Sequence, residues 1–228
     1  MLISKNNIAL TVILLLFAAS QSVWSQTGAS SEFVVARLKY GGGGDWYNDV
    51  SSELNLLEFV RQNTTIDVQI KTEEFVEVGS EKLFAYPLAF MTGHGNISFT
   101  DSEARNLRRY LENGGFLYVD DDYGLDKAFR REMKKVFPDK EFVELPFNHE
   151  IYTAHFKFPN GLPKIHEHDK NPPQGFGIFH EGRLVVYYTY ETNLADGWAD
   201  AEVHKNPENV RRKALEMGTN IVVYALTN

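Results

Sequence analysis

The chain contains no cysteine. That absence removes disulfides, thiolate metal ligands, a cysteine nucleophile and lipid attachment at a cleavage-site cysteine. A membrane-length apolar run is missing too. The longest, residues 8–19, falls short of the about 20 residues a span needs. There is no basic stripe, and the net charge is −8, which argues against nucleic acid as a partner. The Arg pairs at 108–109, 130–131 and 211–212 and the Lys pair at 134–135 sit in amphipathic helical patterns, where solvated faces explain them. No G-x-S-x-G is present, so a Ser–His–Asp hydrolase has little support. The glycine run 41–44 is followed neither by Lys-Ser/Thr nor by a third spaced glycine, which excludes a Walker loop and a dinucleotide fingerprint.

What is present begins with a leader. Lys5 gives a positive start, residues 8–19 an apolar centre, and Val23, Trp24 and Ser25 lead to cleavage before Gln26. Residues 1–25 are thus expected to be a signal peptide, 26–31 a short linker and 32–228 a single α/β domain. The expected location is periplasmic or secreted, with no transmembrane span after cleavage. An uncleaved N-terminal anchor is the competing reading. The remaining 203 residues suit one domain with a sizeable core.

Residues 32–40 read as a first strand, and Val50, Leu54, Leu57 and Val60 recur at helical spacing. Short strands are expected at 67–70 and 75–78, and a buried one at 88–92. Residues 101–113 form a helix opened by a Thr100/Glu103 capping box and stopped at Gly114. Strand 116–119, a helix from Leu125 to Val136 and strand 141–145 follow. A loop-rich stretch, 146–174, holds four of the seven histidines. Strands 176–180 and 184–190 flank a Glu181-Gly182 hairpin turn, and a last helix starts near Pro207. Alternating strands and helices predict a three-layer α/β fold, its sheet mostly parallel, with an antiparallel hairpin near the C-terminus.

The chemistry-bearing residues gather after strands. Asp120, Asp121 and Asp122 follow strand 116–119 directly. Three adjacent carboxylates repel, so a site there needs a cation, hydrogen-bond donors or raised pKa values. A solvated turn with one aspartate capping the next helix is the plainer alternative. His94 stands between two glycines after strand 88–92, beside a ligand or simply in a tight turn. Asp45, Trp46 and Tyr47 follow the glycine run, where a peptide nest would suit an anion and the aromatic pair either a sugar or the sheet end. His166 and His168 have the H-x-H spacing of a metal pair, for which His149 or His155 would be the third ligand; an exposed polar loop is the favoured reading. Asp121 and His149 join them as weak metal candidates. Asp196, Trp198 and His204 lie in what reads as a last polar loop.

Several longer stretches, RLKYGGGGDWYND, PLAFMTGHGNISF, YLENGGFLYVDDDYG, FRREMKKVFPD, LPFNHEIY, GLPKIHEHD and MGTNIVVYALTN, together resemble a bacterial family defined by domain of unknown function 4159. The resemblance implies a flavodoxin-like sheet of the class I glutamine amidotransferase-like group, related to trehalose-utilisation-type proteins. In that group the catalytic cysteine follows a strand. Residues 113–121 match that place, with Asp120 or Asp121 where the nucleophile would be, and the missing cysteine rules out amidotransferase or cysteine-peptidase chemistry.

Two functional expectations result. The first is a non-catalytic binding domain that uses the old nucleophile pocket for a glycan-like ligand or an envelope protein. The second is a metal-assisted hydrolase using Asp120, Asp121 and Asp122 with His94 or His149. No cofactor is specified by the residues.

Overall fold

Seven strands make one sheet in a computed structural model, which describes residues 32–70 and 74–228. The leader expected at 1–25 and the linker at 26–31 lie outside the described residues. In chain order the elements are β1 (Val35–Lys39), α1 (Ser52–Asn63), β2 (Glu74–Glu77), β3 (Leu88–His94), α2 (Asp101–Glu112), β4 (Phe116–Tyr123), α3 (Asp126–Val136), β5 (Val143–Glu144), β6 (Gln174–His180), β7 (Arg183–Tyr190), α4 (Leu194–Trp198), α5 (Ala201–His204) and α6 (Glu208–Thr227). The sheet order is β2-β1-β3-β4-β7-β6-β5. The first five strands are parallel, and β6 and β5 add an antiparallel edge. This is the doubly wound flavodoxin-like order, whose switch point lies between β1 and β3.

Burial sorts the helices into two layers. Leu56, Leu57 and Val60 of α1, with α4 and the inner face of α6, pack on Val35, Phe90, Phe116 and Tyr118. Leu107 and Leu111 of α2 and Phe129 and Met133 of α3 pack on Leu38, Met91, Leu117 and Val119 across the sheet. The parallel strands are apolar on both faces because helices cover both. The capping box at Thr100 is present in both directions, and Gly114 takes a left-handed φ of 104° as the stop for α2. Glu181 and Gly182 both have positive φ, as a two-residue hairpin turn requires.

Several expectations need correction. Val50 is exposed, because α1 begins only at Ser52 and buries Glu53, Leu56, Leu57 and Val60. Residues 67–70 form no strand; Val68 makes one isolated bridge to Phe33. Strand 141–145 shrinks to the edge pair Val143–Glu144. The expected last polar loop contains α4, every residue of which is buried. Among the described residues no helix is long and apolar enough to cross a membrane.

Candidate functional site

The loops that follow β1 and β3 flank the switch point, and both carry polar side chains into a crevice at the carboxyl ends of the strands. In folds of this order ligands bind there. The crevice is a cleft of about 390 Å³ lined by His94, Asp122, Tyr123, His166, Glu167, His168, Asn193, Asp196 and His204.

The loop after β1 is shaped from below. Arg37, on β1, is buried and pairs with Glu53 at the start of α1. Its guanidinium also donates to the carbonyls of Asn48, Asp49 and Trp46, so one side chain holds the backbone of residues 46–49. The glycine run packs on the segment after β3: Gly44 N–H donates to Asn96 O at 3.0 Å, and Gly41 O accepts from Ser98 N–H at 2.8 Å. A Cβ at Gly42 would lie 2.6 Å from the Ser98 nitrogen. These glycines therefore allow two backbones to approach closely. Trp46 turns to Tyr47 and Phe75 and covers the edge of the sheet, while Tyr47 is exposed.

Asp45 faces His94 across this junction. Its Oδ1 accepts from the His94 N–H at 2.5 Å, and its Oδ2 is 3.0 Å from His94 Nδ1. Asp122 Oδ2 is 3.1 Å from the same Nδ1. Two carboxylates on Nδ1 orient the ring and favour a proton there, leaving Nε2 for the cleft. Gly93, before it, has φ 139°, and a Cβ there would lie 2.3 Å from the Tyr40 hydroxyl.

The three aspartates lie within β4 rather than on a turn beyond it, because the strand runs to Tyr123. Strand alternation sends Asp120 and Asp122 to the α1/α4/α6 face and Asp121 to the other. Asp120 is tied into the scaffold, accepting from Thr189 Oγ1 at 2.6 Å and Ala195 N–H at 2.7 Å. Asp121 Oδ1 caps the next helix through Leu125 N–H at 2.8 Å. Asp122 reaches the cleft, held by the amides of Asn48 and Asn193. Burial raises all three pKa values, Asp120 to about 6 and Asp121 to about 7, with the neighbouring carboxylates adding to the effect.

Asp196 comes from α4, whose entry requires Asn193 in the left-handed region at φ 56°. Its carboxylate meets two imidazoles: His166 Nδ1 lies 2.8 Å from Oδ2, and His204 Nε2 lies 3.3 Å from Oδ1. His204 Nε2 is also 2.7 Å from Asp49 Oδ1. Burial first, then the charges of Asp122, Asp49 and Asp120, push Asp196 up to about 8. Asp49, Asp196 and His204 each place a ligand atom within 4.8 Å of the others, the spacing of a shared cation. Around them Asp49 Oδ2, Asn48 Oδ1, Asn193 Oδ1 and His168 Nε2 are buried without a hydrogen-bond partner. A buried polar group costs about 1–3 kcal/mol when no partner, water or ion reaches it, so their clustering singles out this end of the cleft as the candidate site.

Of the residues singled out in the sequence, the cleft brings together Asp122, His94, His166, His168, Asp196 and His204, with Asp45 behind His94. It leaves others apart. His149 packs against Phe179 and Tyr224 and lines a separate cavity with Arg183, at the amino end of the parallel strands. Its Nδ1 accepts from Ile151 N–H, so it is no partner to the β4 aspartates. His155 stacks edge-on to Phe156. Trp198 is a core residue against Phe90 and Tyr118, its Nε1 donating to Ala214 O. His166 and His168 do share a side, with rings 5.5 Å apart, but on the cleft wall rather than on a free loop. Asp49 carried no sequence signal beyond its place before a helix, and only its left-handed φ of 47° sets it apart.

No curated protein matches the chain. A family model covers nearly all of the described fold. With its match running over residues 34–226, the chain belongs to the family described as Domain of unknown function (DUF4159).

Proposed function

We propose that the chain is a metal-dependent hydrolase whose divalent ion, of the zinc class, is held by Asp49, Asp196 and His204. The observation that carries this reading is their convergence within 4.8 Å at the carboxyl ends of the strands, beside orphaned buried oxygens. Three protein ligands leave a position for water, the stoichiometry of catalytic rather than structural zinc. A divalent ion there would lower the pKa of its water to about 7. His94, oriented by Asp45 and Asp122, is placed to carry the proton. His166 on Asp196 orients a ligand from behind. The leader read at residues 1–25 would put this activity in the periplasm or outside the cell, where glycan-like substrates are at hand.

One observation favours a purely binding role. Asp120 and Asp121, at the place where the amidotransferase-like group has its nucleophile, are tied into the scaffold. On that reading the ion binds and nothing turns over.

The test is calorimetric titration of chelator-stripped protein with Zn²⁺. One site per chain is expected, with affinity falling more than a hundredfold in His204→Ala and Asp196→Asn and unchanged in His155→Ala. Absence of saturable binding, or equal binding by His204→Ala, would sink the proposal. Turnover of an ester or glycoside panel that His94→Ala abolishes, with metal affinity kept, separates the hydrolase from the binder.

A further inference from the structure

A second cleft, of about 310 Å³, opens on the other side of the β4 terminus. It is lined by Asp121, Asp126, Asp169, Glu191, Lys127, Gly124 and the rings of Tyr123 and Tyr190. Tyr123 and His168 border both clefts, so the two are neighbours across a shared wall. We infer that this second cleft binds a primary ammonium group of the substrate whose reacting end lies in the metal cleft, an inference that rests on the hydrolase reading for that reacting end.

Four observations support it. Four carboxylates line the cleft against one lysine. Two of them are matched from outside, Asp126 by Arg130 at 2.6 Å and Glu191 by Lys164 at 2.9 Å, and Asp169 accepts only from the Tyr123 hydroxyl and is otherwise unmatched. Asp121 is fully buried and lines the cleft. One of its oxygens caps α3, and the other, Oδ2, has no partner. The walls are aromatic: burial, then Asp126, Glu191, Asp121 and Asp169, raise the Tyr190 phenol, so that ring sits neutral in a negative field. A cation over a neutral phenol face gains attraction from the ring in addition to its ion pairing. Finally, these carboxylates do not converge as Asp49, Asp196 and His204 do, the only such group among the described residues. Their spread suits an ammonium with three divergent N–H donors better than one bare ion.

The experiment is an NMR titration of the metal-free protein with n-butylammonium chloride and, at matched ionic strength, with n-butanol. Saturable shifts at Gly124 and Tyr190 with the ammonium alone are expected, with affinity falling at least tenfold in Asp121→Asn and in Tyr190→Leu. The same spectra report whether each variant is folded; if Asp121→Asn is not, Tyr190→Leu decides. An equal response to butanol, a response that survives both substitutions, or displacement of the ammonium by stoichiometric Ca²⁺ overturns the inference. Zn²⁺ affinity measured on the same samples keeps the two proposals apart. Loss of ammonium binding with Zn²⁺ retained strikes the second cleft only, and the converse strikes the metal centre only.

Discussion

Glu132 and Asp196 are both almost fully buried carboxylates, 1 % and 2 % exposed, yet they are treated in opposite ways. Glu132, on α3, meets Lys135 at 2.7 Å, Arg131 at 2.8 Å and the Phe99 N–H at 2.8 Å. Burial works to raise its pKa, but these partners together hold it below the ordinary range. Asp196 meets two imidazoles and the Asn193 side chain but no permanent cation, lies near three other aspartates and is pushed up to about 8. At Glu132 permanent cations and an N–H donor neutralise the carboxylate. Around the cleft that neutralisation is withheld, and a divalent ion is what would supply it. Arg37 gives Glu53 a permanent cation at the floor of the site, although burial still raises that carboxyl above its ordinary range.

The largest effect should come from breaking a balanced pair. Arg37→Met strands Glu53 and frees the loop of residues 46–49, so urea unfolding should show a loss of about 3–5 kcal/mol. Next comes the unbalanced side. At one hundred times its dissociation constant Zn²⁺ should stabilise the protein by about 2.7 kcal/mol in thermal melts, and Asp196→Asn should remove that rise. In chelator the same Asp196→Asn should stabilise by about 1–2 kcal/mol at pH 8, since it removes a buried carboxylate that no permanent cation offsets. A loss of stability there would mean that Asp196 is as well balanced as Glu132. The smallest effect is Glu132→Gln, a loss of about 1–2 kcal/mol at neutral pH. Because the folded pKa of Glu132 is depressed, its contribution is full above the ordinary glutamate range and disappears as pH falls through the folded value. Melting curves of the two proteins should therefore converge on acidification below about pH 4.

Much of the fold was legible because its determinants are local. The Thr100/Glu103 box, the Gly114 stop, the Glu181-Gly182 turn and the apolar faces of α2 and α3 each lie within a few residues of one another. Errors arose where local pattern was overridden. Val50 has the right spacing for the α1 face but falls before the helix starts, and Asp196-Gly197-Trp198 looks like a polar loop although contacts with α1 and α6 bury it as a helix. The site was half legible. Asp122 and His94 stood out by their place after strands, whereas Asp49 and His204, 155 residues apart, carried no mark of a shared purpose.

Composition and short-range pattern were enough to determine a cysteine-free α/β chain with parallel strands, helices on both faces and polar groups at strand ends. Periodicity, caps and turns act over a few residues, and strand ends are where this sheet order places a site. Which of those polar groups meet was decided only by tertiary structure. Strand alternation set Asp121, which caps a helix, apart from Asp120 and Asp122, and packing then tied Asp120 into a buried hydrogen bond and left Asp122 at the cleft. Docking of α4 and α5 against the loop after β1 then joined Asp49 to Asp196 and His204, a convergence that depends on how distant segments pack and that no sequence spacing encodes.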